Sequence, residues 1–149
     1  MTKTNYIHQN HVRMRFDKCV EHFNDHDFFH EHCRKNLFER LAPIKIYPEM
    51  ILNIGSATGS GSNLLSKKYK GSQIFNIDLS FGMLKKSLLK ENKAIKHIQA
   101  EANLLPFNDN SINLIFSNLC MPWLNDLPFF FKEIRRVMKK DGLFIFSTL

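Results

Sequence analysis

From Met50 onward, short apolar stretches alternate with stretches whose apolar residues recur at helical spacing. The short stretches are rich in isoleucine, leucine and phenylalanine, which is typical of strands that are buried on both faces. Strands that alternate with helices build right-handed βαβ units around a parallel sheet. The strands are predicted at MILNI, QIFNI, IKHIQA, INLIFS and LFIFSTL. The sequence therefore predicts an α/β fold, with a mostly parallel sheet and helices on both faces.

A glycine-rich turn, NIGSATGSG, follows the first predicted strand and precedes a predicted helix. At the carboxyl end of a parallel strand, such a turn presents backbone N–H groups and a helix amino terminus to a ligand. The dinucleotide fingerprint requires a glycine at Ser60 and does not fit. Gly55, Ala57 and Gly59 instead recur at every second position, which matches the GxGxG loop of class I methyltransferases. The alternative interpretation is that these glycines serve only to let the turn between strand and helix pack tightly.

Two carboxylates follow the next two predicted strands. Asp78 closes the second strand, where it can accept hydrogen bonds from both hydroxyls of a ribose, while Ser80 is better placed to cap the following helix. Glu101 follows the third strand and can accept from an adenine amino group, with the Ala102 backbone donating to the ring. A solvated loop carboxylate is the alternative for Glu101. Because the features occur in order at three successive strand ends, the sequence favours a nucleoside-binding site.

The segments NIGSATG, IFNIDLSFGML, AEANLLPFNDNSINLIFSNL and EIRRVMKKDGLFIFSTL resemble the successive motifs of class I S-adenosylmethionine-dependent methyltransferases. The resemblance covers residues 50–149. It implies the Rossmann-like class I methyltransferase fold, with S-adenosyl-L-methionine as the cofactor. The residues that it assigns to cofactor binding are Asn53, Gly55, Ser56, Ala57, Gly59, Asp78, Leu79, Met83, Glu101, Ala102, Asn118 and Leu119.

A finer resemblance concerns the methyl acceptor. The segments SNLCMPW, FDKCVEHF and ERLAPIKIYP are similar to those of the biotin-pathway malonyl-acyl-carrier-protein O-methyltransferases, with Phe23 at the position of a family tyrosine. This resemblance implies methylation of the free carboxylate of a malonyl group that an acidic acyl-carrier protein carries. Since that carboxylate is already ionised near neutral pH, no catalytic residue for proton transfer is predicted. Trp123 is predicted to line the acceptor side.

Several positions depart from the family pattern. Asn53 replaces an acidic residue at the end of the first strand, which removes a negative charge near the cationic methionine end of the cofactor. Ala57 adds a methyl group where the family has glycine. The chain stops at Leu149, where family members continue with a helix and two strands, so a truncated chain or a fragment is expected. A methyltransferase for another small-molecule or protein acceptor and a non-catalytic interaction module both remain open.

The first third of the chain carries apolar residues at helical spacing in residues 12–23 and again in residues 29–41. This pattern predicts two amphipathic helices. No repeat, linker or low-complexity segment divides the 149 residues, which have the length of one domain. A single methyltransferase domain is therefore predicted, with an N-terminal helical segment over 1–48 and a cofactor-binding core over 49–149 that is incomplete at its C-terminus.

Charge and composition constrain the partners and the compartment. The net charge of +7 would suit an acidic partner, but the general composition is the stronger explanation, because the basic residues run along the whole chain and are not gathered in one block. The three cysteines form no disulfide framework and are predicted to be reduced and buried. His22, His26 and His30 share a predicted helical face, but no paired ligand motif accompanies them, so no metal is predicted. A cytoplasmic protein without a membrane or nucleic-acid partner is expected.

Overall fold

The computed structural model describes residues 6–149, which form one five-stranded sheet whose paired strands are all parallel. The strand order is β3-β2-β1-β4-β5, so the chain builds outward from the centre of the sheet in both directions. This order confirms the predicted Rossmann-like α/β fold. The strands are β1 Met50–Ile54, β2 Gln73–Asp78, β3 Ile95–Gln99, β4 Ile112–Asn118 and β5 Met138–Ser147. The helices are α1 Gln9–Cys19, α2 Phe28–Leu41, α3 Ser60–Lys68, α4 Phe81–Leu88 and α5 Leu127–Val137.

Helices cover both faces of the sheet, because successive side chains of each strand point to opposite sides. On one face, Leu52 of β1 packs in a core with the fully buried Phe130 of α5. On the other face, Ile51 joins a second core that contains Leu41 of α2 and Leu65 of α3. Burial of one such aliphatic side chain contributes about 1.5–3 kcal/mol. Within residues 6–149, none of these helices combines the length and the apolarity that crossing a bilayer would need.

The first helix ends earlier than the sequence predicts. The predicted helix over 12–23 stops at Cys19, and a 3-10 turn at Phe23–His26 leads into α2. The chain turns here because Asn24 Oδ1 accepts a hydrogen bond of 2.7 Å from Thr58 Oγ1 of the glycine-rich turn. A contact between distant parts of the chain has therefore overridden the local helical periodicity.

The early end of α1 also separates the three evenly spaced histidines. His22 lies in a turn, His26 in the 3-10 turn and His30 in α2, so they do not share a helical face as predicted. Across the described residues, no group of histidine, cysteine, aspartate or glutamate side chains has the arrangement of a metal site.

The three cysteines are free thiols, but they are not all buried as predicted. Cys19 is exposed, and Cys33 and Cys120 are half-buried. Cys19 lies in the last turn of α1, where its thiol donates to the carbonyl of Phe16 at 3.4 Å. This local contact satisfies the thiol without burying it.

The last strand is longer than the predicted LFIFSTL. β5 begins at Met138, directly after α5, and its register against β4 jumps from the pair Ile112 and Met138 to the pair Leu114 and Leu143. Residues 139–142 therefore bulge out of the sheet, and Asp141 takes a left-handed conformation there with φ of 65°.

A chain of polar side chains runs through the interior beneath the start of α3. Asn53 Nδ2 donates to Ser62 Oγ at 2.8 Å, and Ser62 Oγ donates to Asn76 Oδ1. Asn76 Nδ2 donates in turn to Ser87 Oγ at 3.1 Å, and this oxygen lies 2.9 Å from His97 Nε2. Ser87 Oγ can donate to an unprotonated His97 Nε2 or accept from a protonated one, because a hydroxyl has one donor and two acceptor sites. Burial lowers the pKa of His97 and so favours the neutral ring.

We predict that His97 makes the stability of the protein depend on pH. Its folded-state pKa lies below the unfolded value of about 6.5, so the ring is neutral in both states at higher pH and no penalty arises. As the pH falls through about 6.5, the unfolded chain binds the proton first and the free energy of unfolding decreases. Urea unfolding from pH 8 down to about 5.5 measures this decrease.

The variant His97→Gln keeps an acceptor for Ser87 and should lose less stability on acidification than wild type. His26→Gln, which changes an exposed histidine, should follow wild type. Equal losses in all three proteins would contradict the prediction.

Candidate functional site

A crevice opens along the edge of the sheet where the parallel strands end. β1 lies at the centre with β2 on one side and β4 on the other, so the loops that follow β1 and β4 diverge at this point. Open α/β sheets place their ligands at such a switch point. The crevice encloses about 680 Å³ of empty space, part of it open to solvent. Its walls come from the loops that follow β1 to β4 and from the N-terminal segment.

The glycine-rich turn after β1 forms the floor of the crevice. Gly55, Ala57 and Gly59 all have positive φ, at 67°, 46° and 79°. A Cβ at Gly55 would lie 2.8 Å from the Cβ of Cys120, and one at Gly59 would lie 2.0 Å from Ser87 Oγ, so glycine is required at both positions. Ala57 lines the crevice and bears a left-handed conformation that costs about 1–2 kcal/mol.

The carboxylate of Asp78 ties the end of β2 to the turns on either side. Its Oδ2 accepts from the Ala57 N–H and its Oδ1 from the Ser80 N–H, both at 2.8 Å. Burial raises the pKa of this carboxyl group, while the N–H donors of Ser80 and Ala57 act in the opposite direction. Ser80 Oγ accepts from the Met83 N–H at 3.1 Å and so caps α4, as predicted. Since an ionised carboxylate has about four acceptor sites and Asp78 lines the crevice, it can still accept from a ligand.

Glu101 borders the same crevice as Asp78. The two residues follow neighbouring strands, because β2 and β3 pair in parallel with Asp78 opposite Gln99. Glu101 is exposed, whereas Ala102 beside it is buried and also lines the crevice, as does Leu79 after β2. Two carboxylates with apolar neighbours therefore face one space, which suits the hydroxyl and amino donors of a nucleoside.

The loop after β4 forms the opposite wall. Asn118 lines the crevice, but its amide is bonded within the protein: Nδ2 donates to the carbonyl of His30 at 3.0 Å, and Oδ1 accepts from Ser147 Oγ at 2.8 Å. Leu119 is buried in a left-handed conformation with φ of 58°, and its N–H donates to Ser147. These hydrogen bonds within the protein fix the positions of both residues in the wall of the crevice.

The N-terminal segment closes the crevice over Trp123. Trp123 packs edge-to-face on Phe16 of α1, with ring centroids 5.3 Å apart, and its carbonyl accepts from Gln9 Nε2 at 2.9 Å. Phe16, Gln9 and Val12 all line the crevice, yet the sequence did not single them out. They are more than a hundred positions from Trp123, and no local pattern signals such a contact.

Four of the residues assigned to cofactor binding do not border the crevice. Gly59 lies beneath the turn against Ser87, and Met83 is fully buried in the packing of α4 against the sheet. Both support the site from below. Asn53 and Ser56 border a smaller space beside the crevice instead of the crevice itself.

Cys120 is a crevice residue that sequence reasoning missed, although its position directly after β4 was an available signal. Burial raises the pKa of its thiol to about 12, and the nearby Asp78 charge acts in the same direction. The thiol therefore stays protonated and serves as a packing group against Gly55 rather than as a nucleophile. The crevice offers fixed acceptors and apolar walls, which suit binding and positioning.

A family model described as a methyltransferase domain matches residues 52–146, well over half of the chain. The malonyl-[acyl-carrier protein] O-methyltransferases of Methylovorus sp. strain MP688 and Gallionella capsiferriformans strain ES-2 are each 34% identical to this chain over 146 aligned residues. The alignments cover 93% of this chain but 49% and 50% of those proteins. The chain thus spans about half the length of the curated relatives it matches.

Solved structures resemble the fold closely. A chain from the Haloferax volcanii complex of the Trm112 methyltransferase activator with a putative methyltransferase has a TM-score of 0.79 at 21% identity, covering 89% of this chain and 59% of that one. Phosphoethanolamine N-methyltransferase 2 of Haemonchus contortus, solved with S-adenosyl-L-methionine, has a TM-score of 0.69 at 27% identity, covering 77% and 27%. Because the family match runs from β1 into β5 and so includes every strand that forms the crevice, we conclude that this chain belongs to the methyltransferase domain family.

Proposed function

We propose that the chain binds S-adenosyl-L-methionine in the crevice and takes part in transfer of its methyl group. The observation that carries this proposal is the placement of Asp78 and Glu101 at neighbouring strand ends, on one crevice that continues to the glycine-rich turn. Asp78 would accept from the ribose hydroxyls, Glu101 would accept from the adenine amino group, and the Ala102 N–H would donate to the ring.

The chain contributes to the reaction by positioning and by excluding water. When bound, the cofactor would supply a methyl group on its sulfonium sulfur: an acceptor oxygen would bond to the methyl carbon in line as the carbon–sulfur bond breaks, with S-adenosylhomocysteine as the leaving group. Val12, Phe16 and Trp123 form an apolar cover over the crevice, which keeps water from the reacting atoms. Alignment of an acceptor with the methyl carbon supplies much of the rate, because a collision between two molecules becomes a step within one complex.

The acceptor that we propose is the free carboxylate of a malonyl group on an acyl-carrier protein. The two curated relatives that are 34% identical to this chain are named for that activity. A carboxyl group of ordinary pKa is ionised near neutral pH, so its attack on the methyl carbon needs no general base. This agrees with a crevice in which Asp78 is held by two N–H donors and the Cys120 thiol stays protonated. Trp123 would then line the acceptor side.

The net charge of +7 would favour association of this chain with an acidic carrier protein. Not every basic residue near α5 is available for it, since Arg136 is already paired with Glu133 at 2.7 Å and with Asp109 at 2.9 Å. The exposed basic residues of this region are Lys132, Arg135 and Lys140. A cytoplasmic location, in which the free thiols stay reduced, belongs to the same proposal.

We also propose that the N-terminal segment, 1–48, and the core, 49–149, act as one methyltransferase domain. Lys86 of α4 donates to the carbonyls of Val20 and Glu21 at 3.0 and 3.1 Å. Asp17 of α1 accepts from Ser80 Oγ at the start of the same helix. Because α1 also lines the crevice, its removal would open one wall of the cofactor site.

Isothermal titration with S-adenosyl-L-methionine tests the cofactor site. Wild type should bind, and Asp78→Asn should bind about 10- to 100-fold more weakly, because a charged acceptor for the ribose hydroxyls is lost. Asp25→Asn removes an exposed carboxylate outside the crevice and should bind like wild type. Circular dichroism checks that each protein is folded. No binding heat from folded wild type at millimolar ligand would refute the proposal.

A methyl-transfer assay with malonyl-loaded carrier protein and a cofactor labelled in its methyl group tests the acceptor. We expect label in the malonyl carboxylate as a methyl ester, and less transfer by Asp78→Asn at low cofactor concentration. Label in a different acceptor would favour a methyltransferase of other specificity, which the half-length match to the relatives keeps open. Cofactor binding without transfer to any acceptor would favour a non-catalytic interaction module.

A further inference from the structure

A groove, here called the α1 groove, adjoins the crevice along α1 and the residues that precede it. Its apolar lining consists of the buried Val12 together with Ile7, Met14 and Trp123. Val12 and Trp123 also line the crevice, so the two spaces meet at these side chains. A partner that docks on the α1 groove can therefore reach into the crevice.

The charged residues that line the α1 groove are all positive. They are Arg15 and Lys18, whose side chains are exposed, and the exposed His8 and His11 line the groove beside them. No aspartate or glutamate is among the lining residues. Within residues 6–149, neither Arg15 nor Lys18 belongs to an ion pair. Both cations are therefore available to an anionic partner.

The carboxylates nearest to these cations in the chain are bound to α4. Asp17 accepts hydrogen bonds from Ser80 Oγ and from the Gly82 N–H at the start of that helix. Glu21, in the turn after α1, pairs with Lys86 of α4 at 3.4 Å. Because these negative charges face α4, the α1 groove keeps a positive potential.

The residues that precede α1 are fixed to the loop after β4. The Ile7 N–H donates to Asn125 Oδ1 at 2.7 Å, and Asn125 Nδ2 donates to the Ile7 carbonyl at 2.8 Å. The hydrogen bond from Gln9 Nε2 to the Trp123 carbonyl holds the next turn. A surface that is already ordered loses little conformational entropy when a partner binds. The α1 groove is thus preformed for docking.

We propose that the α1 groove is the docking surface for the acidic acyl-carrier protein, with Arg15 and Lys18 as the recognising cations. This inference rests on the proposed function. A carrier protein presents its acyl group on a long flexible arm, so it has to dock beside an opening of the crevice. Acidic side chains of the carrier pair with Arg15 and Lys18, and the arm passes Val12 and Trp123 into the crevice. Complementary charge of this kind speeds association and fixes the orientation of the partner.

The basic residues near α5 are less well placed for this task. α5 follows β4 and runs back along the sheet, and β5 begins at Met138, which pairs with Ile112 at the start of β4. Lys140 therefore lies near the edge of the sheet where the strands begin. The crevice lies at the opposite edge, where the strands end. A carrier protein docked at Lys140 would thus be separated from the crevice by the length of a strand.

Binding of malonyl-loaded carrier protein, measured by fluorescence anisotropy at low salt, tests the docking surface. A protein with both Arg15→Glu and Lys18→Glu should bind about 10-fold more weakly or worse, because attraction becomes repulsion. A protein with Lys67→Glu and Lys70→Glu carries the same change in net charge at two exposed lysines near the end of α3. It should bind within about two-fold of wild type, and added salt should weaken wild-type binding.

Methyl transfer to two acceptors separates docking from the reaction. One acceptor is malonyl-loaded carrier protein, and the other is malonyl-pantetheine, which keeps the end of the arm but lacks the carrier. The protein with Arg15→Glu and Lys18→Glu should show a KM about 10-fold higher for the first acceptor, with kcat within about two-fold. Its KM for malonyl-pantetheine should equal that of wild type. If circular dichroism shows that this protein is unfolded, Arg15→Gln with Lys18→Gln should show the same selective effect at smaller size.

The outcomes distinguish this inference from the function on which it rests. Equal weakening of carrier binding by the changes at Arg15 and Lys18 and by those at Lys67 and Lys70 would overturn the docking surface, because net charge alone would explain it. A larger loss in a protein with Lys132→Glu and Arg135→Glu would also overturn it.

Two further results judge the docking surface and the proposed function separately. If wild type binds the cofactor but no carrier protein, the docking surface fails while the cofactor site stands. If it binds the carrier through Arg15 and Lys18 but transfers no methyl group, the docking surface stands and the proposed activity fails.

Discussion

The crevice depends on the hydrogen bonds of one half-buried carboxylate, that of Asp78. A parallel sheet places its strand ends at one edge, but it does not determine how the following loops leave them. Asp78 does so at β2, because its two oxygens hold the N–H of Ala57 in the glycine-rich turn and the N–H of Ser80 at the start of α4. The glycine-rich turn also packs against Cys120, which follows β4. Three strand ends therefore keep a fixed geometry around a carboxylate that retains acceptor sites for a ligand.

The N-terminal segment forms part of the wall of the crevice. It is attached to the core at the glycine-rich turn through Asn24 and Thr58, and after β4 through the His30 carbonyl and Asn118. A ligand in the crevice would touch both parts of the chain, because Gln9, Val12 and Phe16 line the crevice together with residues of the core. By mass action, such a ligand stabilises the docked arrangement that it binds. Cofactor binding and docking of the N-terminal segment on the core are therefore thermodynamically coupled.

The sequence predicted the five strands and the carboxylates at their ends, because buried parallel strands leave local apolar runs and their order forces the ends together. It did not predict that α1 stops at Cys19, since the apolar spacing continues beyond that residue. It also missed Phe16 on the crevice and the pairing of Asp27 with Arg34, which depend on contacts between distant parts of the chain. Local sequence patterns thus predicted the strand-end residues of the crevice. The residues of the N-terminal segment that cover the crevice could be identified only from the folded structure.

The most direct test of the account is a crystal structure of the protein with S-adenosylhomocysteine. We predict both ribose hydroxyls at about 3 Å from the Asp78 carboxylate oxygens, with the adenine amino group beside Glu101. A ligand bound elsewhere on the protein, or a ribose directed away from Asp78, would contradict the account.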